Sequence, residues 1–167
     1  GIDRYDGNEI KHYKLDGMVD SRDNIQSSTT MMCDKEGIVW VALKNGKIYA
    51  YNKLTDSFQL RVDLAAYLPS PVLYNMLFDD ENRLWLCMSK GLYSWEESAG
   101  LSFAGLKGQS VRCMVQMEDE VFFAGTDKGV FRLTKAGAAG SSSFETRPVH
   151  LHTEMHVESL YVFGAKL

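Results

Sequence analysis

Ile38-Val39-Trp40-Val41-Ala42-Leu43-Lys44-Asn45-Gly46 decides the fold, because it occurs three times. Its copies are Arg83-Leu84-Trp85-Leu86-Cys87-Met88-Ser89-Lys90-Gly91 and Val121-Phe122-Phe123-Ala124-Gly125-Thr126-Asp127-Lys128-Gly129. In each, the closing glycine stands six residues after an aromatic: Trp40, Trp85 or Phe123. A second apolar-aromatic run follows each glycine: Ile48-Tyr49-Ala50-Tyr51, Leu92-Tyr93-Ser94-Trp95 and Val130-Phe131-Arg132-Leu133. Asp34 and Asp79 precede their tryptophans by six residues, and the third copy has Met117 there. Asn45-Gly46 between apolar runs predicts a tight hairpin, since both residues tolerate positive φ.

Both ends of the chain carry the same pattern. Gly1-Ile2-Asp3-Arg4-Tyr5-Asp6 matches Gly91-Leu92-Tyr93-Ser94-Trp95-Glu96, and Leu160 to Lys166 matches Val121 to Asp127. Gly1, Gly46, Gly91 and Gly129 are thus successive closing glycines of about four repeats. Each full copy reads as four short strands. The first copy places them at Ile25 to Cys33, Ile38 to Leu43, Lys47 to Asn52 and Phe58 to Val62. The second places them at Val72 to Phe78, Arg83 to Met88, Leu92 to Trp95 and Leu101 to Ala104. In the third they are Val111 to Met117, Val121 to Thr126, Val130 to Thr134 and Phe144 to Pro148. Helix is nearly absent; Asp63 to Leu68 can form one turn, with Asp63 as N-cap and Pro69 as the stop. Four strands at a period of about 40 residues predict an all-β chain of β-propeller blades, each a four-stranded antiparallel sheet. One such sheet cannot bury both faces alone, so neighbours stack, with Trp40, Trp85 and Phe123 expected between them. The blade units are 24–62, 72–104 and 111–148, flanked by the end of a blade at 1–19 and the start of one at 149–167. Lys135 to Ser143, rich in Gly, Ala and Ser, reads as a loop between the third and fourth strands of its blade.

The run Asp34-x-x-Gly37-x-x-Trp40, Gly46-x-Ile48-x-x-Tyr51 and Phe58 resembles the repeat of the two-component regulator propellers. Asp79 to Trp85 with Gly91-Leu92-Tyr93 resembles it too, and Gly125-Thr126 keeps the family's Gly-Thr pair, which Ala42-Leu43 and Cys87-Met88 replace in the other copies. The resemblance covers essentially the whole chain. It implies part of a seven-bladed propeller in the periplasmic sensor region of a hybrid two-component histidine kinase and response regulator. It also implies recognition of an oligosaccharide. The family's kinase parts are absent from these residues, so the segment is expected not to be an enzyme. A propeller scaffold for protein–protein interaction with no small ligand is the alternative, because fold alone does not separate the two. Ligand residues are not set by the repeat motif and do not carry over.

Composition narrows the partners. The 167 residues hold 18 Lys+Arg against 22 Asp+Glu, a net charge of -4. That is not the footprint of a nucleic-acid binder. No apolar run reaches the roughly 18 residues of a membrane span, so direct membrane insertion by this segment is not expected. The end blades would each leave an apolar face open, so closure or association into a homo-oligomer is expected. Cys33, Cys87 and Cys113 are widely spaced and lie in apolar runs, which predicts three buried free thiols rather than a disulfide framework.

Two groups of residues are candidates for binding. Lys44, Lys90 and Lys128 fall in equivalent turns after the aromatic-bearing strands. In a propeller those turns share an end with the blade-to-blade connections, which contain Arg22 and Tyr67, with Tyr74 close behind. Together these six could hold an anionic or hydroxyl-rich ligand; the competing reading is lysines solvated at exposed turns. His150, His152, Glu154 and His156 share one parity and would share one face of an extended strand, a weak zinc candidate centred on His150 and His152. The competing reading there is a polar strand face. No Walker loop, G-x-S-x-G, H-E-x-x-H or other cofactor or catalytic signature occurs, so no cofactor is expected. The acidic runs Asp79-Asp80-Glu81 and Glu118-Asp119-Glu120 read as solvated turn charge.

Overall fold

The computed structural model describes residues 2–15, 28–136, 143–149 and 155–163. Its strands are β1 (Ile2–Tyr5), β2 (Ile10–Tyr13), β3 (Ser28–Cys33), β4 (Val39–Leu43), β5 (Lys47–Asn52), β6 (Ser57–Asp63) and β7 (Leu73–Phe78). They continue as β8 (Leu84–Met88), β9 (Gly91–Glu96), β10 (Gly100–Gly105), β11 (Val111–Glu118), β12 (Val121–Thr126), β13 (Gly129–Ala136) and β14 (Ser143–Val149). Among the described residues β1 pairs with β2 alone, and the others form three four-stranded antiparallel meanders, β3 to β6, β7 to β10 and β11 to β14. These are propeller blades. A single 3-10 turn, Leu64–Ala66, follows β6, and the Asp63 carboxylate caps it by accepting the Ala65 amide.

Period-two alternation gives every sheet two faces, and stacking covers them. Trp40, Ala42, Ile48 and Ala50 of the first sheet pack against Leu84, Leu86 and Met88 of the second. The opposite face of the second sheet, with Trp85, Cys87 and Leu92, packs against Phe122, Ala124 and Leu133 of the third. Val41, Leu43 and Tyr49 meet Ile2, Tyr13 and Leu15 from the N-terminal pair. Phe123 is the departure from expectation. It aligns with Trp85 in register but is only half-buried, because its face points away from the second sheet. Its neighbour Phe122 is the ring that meets Trp85, at 6.1 Å between centroids.

The six-residue spacing from Asp to Trp now has a physical meaning. Asp34 Oδ1 accepts the amides of Glu36 and Ile38 while its Oδ2 accepts the Trp40 indole N–H at 2.8 Å. Asp79 does the same for Glu81, Arg83 and Trp85. One carboxylate thereby closes a turn and fixes an indole. The third sheet lacks this aspartate, and the Gln116 amide donates to the Glu118 and Asp119 carbonyls of the equivalent turn instead.

The same turns lace the sheets together. The Lys35 amide of the first sheet donates to Asn82 Oδ1 of the second, and the Asp80 amide of the second donates to Gln116 Oε1 of the third, both at 3.0 Å. Lys135 adds a charged link. It lies in β13, not in the loop assigned from composition, and its ammonium sits 3.3 Å from Asp79 and 2.8 Å from Glu81 of the second sheet. Asp79 is therefore buried and paired, not solvated turn charge. Ala136 and Ser143 of that loop likewise lie in β13 and β14, and residues 137–142 lie outside the described residues.

Two cysteines are buried as expected, and Cys33 is exposed. Cys33 and Met31 share a face of β3 with Val39 and Val41 of β4. The N-terminal pair covers that face at Val39 and Val41, while Met31 and Cys33 are exposed. Burial pushes the thiols of Cys87 and Cys113 up, which suppresses the reactive thiolate. A maleimide added to the folded chain is expected to label Cys33 quickly and the other two only on unfolding. Prompt labelling of all three, counted by mass spectrometry, would contradict this packing.

Candidate functional site

Antiparallel meanders bring alternate turns to one end of the stack. Here that end is tied by backbone hydrogen bonds: Leu73 to the Lys44 carbonyl, Ser89 to Val72, Gly108 to Lys90, and Asp127 to Ser110. Lys44, Lys90 and Lys128 therefore share one end, as the repeat predicts, and all three are exposed. None has an ion-pair partner among the described residues. The opposite end carries the acidic turns at Asp34, Asp79 to Glu81 and Glu118 to Glu120. A chain of net negative charge thus gathers three exposed lysines at one end.

The remaining candidates do not converge on one point. Tyr67 is half-exposed, and its ring lies against Gly100, where a Cβ would approach it to 3.1 Å. Gly100 opens β10, at one edge of the second sheet, while Tyr74 lies on β7 at the other edge. Arg22, His150 and His152 lie outside the described residues. So does Glu154; His156 is exposed and faces Glu158 at 3.9 Å. Among the described residues no cluster of His, Cys, Asp or Glu has the form of a metal site.

Tyr74 acquires a partner that sequence did not reveal. The guanidinium of Arg112, on β11 of the next sheet, lies 4.0 Å from the centre of its ring. β7 and β11 are the first strands of adjacent blades, at the edge where the sheets converge. Stacking of this kind contributes about 0.5–1 kcal/mol at a partly exposed site. Glu158 stands 4.0 Å from Arg112 Nε, too far for a hydrogen bond. Arg112 Nε and Gln109 Oε1 are both buried with no hydrogen-bond partner among the described residues. They stand three residues apart, Gln109 on the connection into β11 and Arg112 on the strand. One is a donor and the other an acceptor, the complement that a hydroxyl group satisfies. The Tyr74–Arg112 stack, with Gln109 three residues before Arg112 in the chain, is the candidate site. Sequence singled out Tyr74, whereas Arg112 sits where no motif repeats.

No family model matches the chain, and no curated protein matches it. Solved structures do. It superposes on the extracellular domain of a hybrid two component system from B. thetaiotaomicron with a TM-score of 0.60 at 16% identity, covering 81% of this chain and 19% of that one. A second hybrid system's extracellular domain from the same organism gives 0.57 at 20% identity, covering 79% of this chain and 17% of that one. At this level of identity the likeness is one of fold, and this chain spans under a fifth of either neighbour's length. No helix among the described residues is long and apolar enough to cross a membrane.

Proposed function

We propose that this chain, built on the fold of extracellular two-component receptor domains, is part of a periplasmic sensor that recognises an oligosaccharide and performs no catalysis itself. The likeness of its blades to those extracellular domains carries the reading. The Arg112 guanidinium against the Tyr74 ring, with Arg112 Nε and Gln109 Oε1 each buried without a hydrogen-bond partner among the described residues, supports the ligand class. Sugar hydroxyls both give and take hydrogen bonds, and sugar C–H faces stack on aromatic rings.

Calorimetric titration of the 167-residue chain with a panel of neutral oligosaccharides tests it. One member is expected to bind, and Arg112→Lys is expected to weaken it by at least about tenfold, or ~1.4 kcal/mol. Lysine keeps the charge but loses the planar stack and the Nε donor. Equal binding by the variant would remove Arg112 from the site. No binding by any member, with retention of a protein partner on an immobilised chain, would favour the scaffold reading instead.

A further inference from the structure

A recess of about 460 Å³ opens on the second sheet, lined by Lys90, Tyr93, Phe103, Lys107 and Gly108. It is separate from the Tyr74–Arg112 stack, and that volume lies within the range of small-molecule sites. Its floor is aromatic: Tyr93 and Phe103 meet edge to face, centroids 5.4 Å apart, and Phe103 is 47% exposed. An exposed phenylalanine on a strand is ordinary when isolated. Here two lysines flank it, both exposed and neither with an ion-pair partner among the described residues.

The backbone around the recess is unusual in a concentrated way. Gly91 has φ 142°, and a Cβ there would lie 2.9 Å from the Phe103 ring and 3.1 Å from the Gly105 carbonyl oxygen. Only glycine lets that ring lie across the start of β9. The pairing of β10 with β9 slips between Phe103 and Gly105, a bulge that re-aims the side chains beside it. Leu106 then adopts φ 55° and Gly108 φ 74°, and Ser70, in the adjoining wall, adopts φ 50°. A leucine in the left-handed region costs energy that packing must offset, and such strain gathers at binding sites. The frame is also locked. The Gly108 amide donates to the Lys90 carbonyl and the Ser89 amide to the Val72 carbonyl, so three chain segments hold one shape.

We propose that this recess binds a ring-shaped organic anion, its apolar ring face on Phe103 and Tyr93 and its carboxylate or sulfate between Lys90 and Lys107. Two lysine ammonium groups without a counter-charge select the anion. The exposed aromatic edge selects a ring over a bare inorganic ion. Acidic sugars and aromatic carboxylates share that chemistry.

Amide chemical shifts of the 167-residue chain, followed by NMR on titration with digalacturonate, phenylacetate and neutral galactobiose, test the assignment. At least one of the two anions is expected to shift the amides of residues 90–93 and 103–108, and galactobiose is not. The anion that acts identifies the source: digalacturonate an acidic sugar, phenylacetate an aromatic acid. Lys90→Ala with Lys107→Ala is expected to weaken binding by at least about tenfold, a loss typical of charge-assisted hydrogen bonds. Phe103→Ala is expected to weaken it too, while Arg112→Lys leaves it unchanged. Lys90, Lys107 and Phe103 are exposed and Arg112→Lys keeps the charge, so the variants should fold, and circular dichroism checks that. Shifts with neither anion, equal shifts with galactobiose, or full affinity in the double-lysine variant would overturn the proposal. Because Arg112→Lys reports on the other site, failure here is distinguishable from failure of the sensor reading.

Discussion

Trp85→Ala is expected to remove about 3–5 kcal/mol of stability. That is a large part of the 5–15 kcal/mol typical of a whole domain. Trp85 has no solvent exposure, and its ring meets Phe122 at 6.1 Å and Phe144 at 4.8 Å. Those partners belong to the next sheet, so the cavity opens between blades rather than inside one. The substitution also strips Asp79 Oδ2 of its indole donor, which adds a buried polar cost to the lost packing. Trp40→Ala removes the same chemistry at 8% exposure, beside an open groove, and is expected to fall at the low end of the range. Urea unfolding of the two variants measures both. A loss below about 1 kcal/mol for Trp85→Ala would mean that the second and third sheets are not stacked through this ring.

Asp79→Asn should be nearly as damaging, at about 3 kcal/mol near neutral pH. The carboxylate accepts two turn amides and an indole N–H and faces the Lys135 ammonium. An asparagine amide cannot accept from all of them, and it leaves Lys135 with the exposed Glu81 alone. The sign of the pH dependence follows. Burial pushes the Asp79 carboxyl up, but the Arg83 amide, the Trp85 indole and Lys135 outweigh it and hold it below the usual carboxylate range. A carboxyl held low in the folded state contributes stability that is present above its unfolded value of about 3.9 and lost as pH falls through the folded one. The gap between wild type and Asp79→Asn should therefore be full at neutral pH and narrow below about pH 4. A gap that stays constant from neutral to strongly acidic pH would show that the charge on Asp79 does not contribute.

The strand pattern was legible because its causes are local. Alternation set the faces, Asn45-Gly46 set a hairpin, and Asp63 capped the 3-10 turn it was expected to cap. What sequence could not show was which neighbour covers each face. Phe122 and Phe123 are equally apolar, and only the stacking direction decides that Phe122 meets Trp85. Cys33 is as apolar in context as Cys87, yet it is exposed where the N-terminal pair gives way. Lys135 looked like the start of a loop, because nothing in residues near it signals an acidic partner 56 positions earlier in the chain. The candidate site shows the same division. The repeat located the lysine-bearing turns, whereas the Tyr74–Arg112 stack forms between strands of different blades.

The lacing between turns has a consequence for how such a chain can change over generations. The two amide links run forward, from a backbone amide of one sheet to a side chain of the next: Lys35 to Asn82 and Asp80 to Gln116. Any residue but proline supplies that donor, so the giving sheet is almost free of sequence requirement at this point. Only the receiving sheet must carry a particular amide side chain. A duplicated unit arrives already able to give, and it needs one Asn or Gln to receive. Gain of a unit therefore asks for a single local match, with no coordinated change elsewhere, since stability in stacked repeats is close to a sum over neighbours. The two acceptors differ, an asparagine in a turn and a glutamine on a strand, and both hold at 3.0 Å. A junction that tolerates two solutions leaves each unit free to diverge on its outer surface while its place in the array is kept.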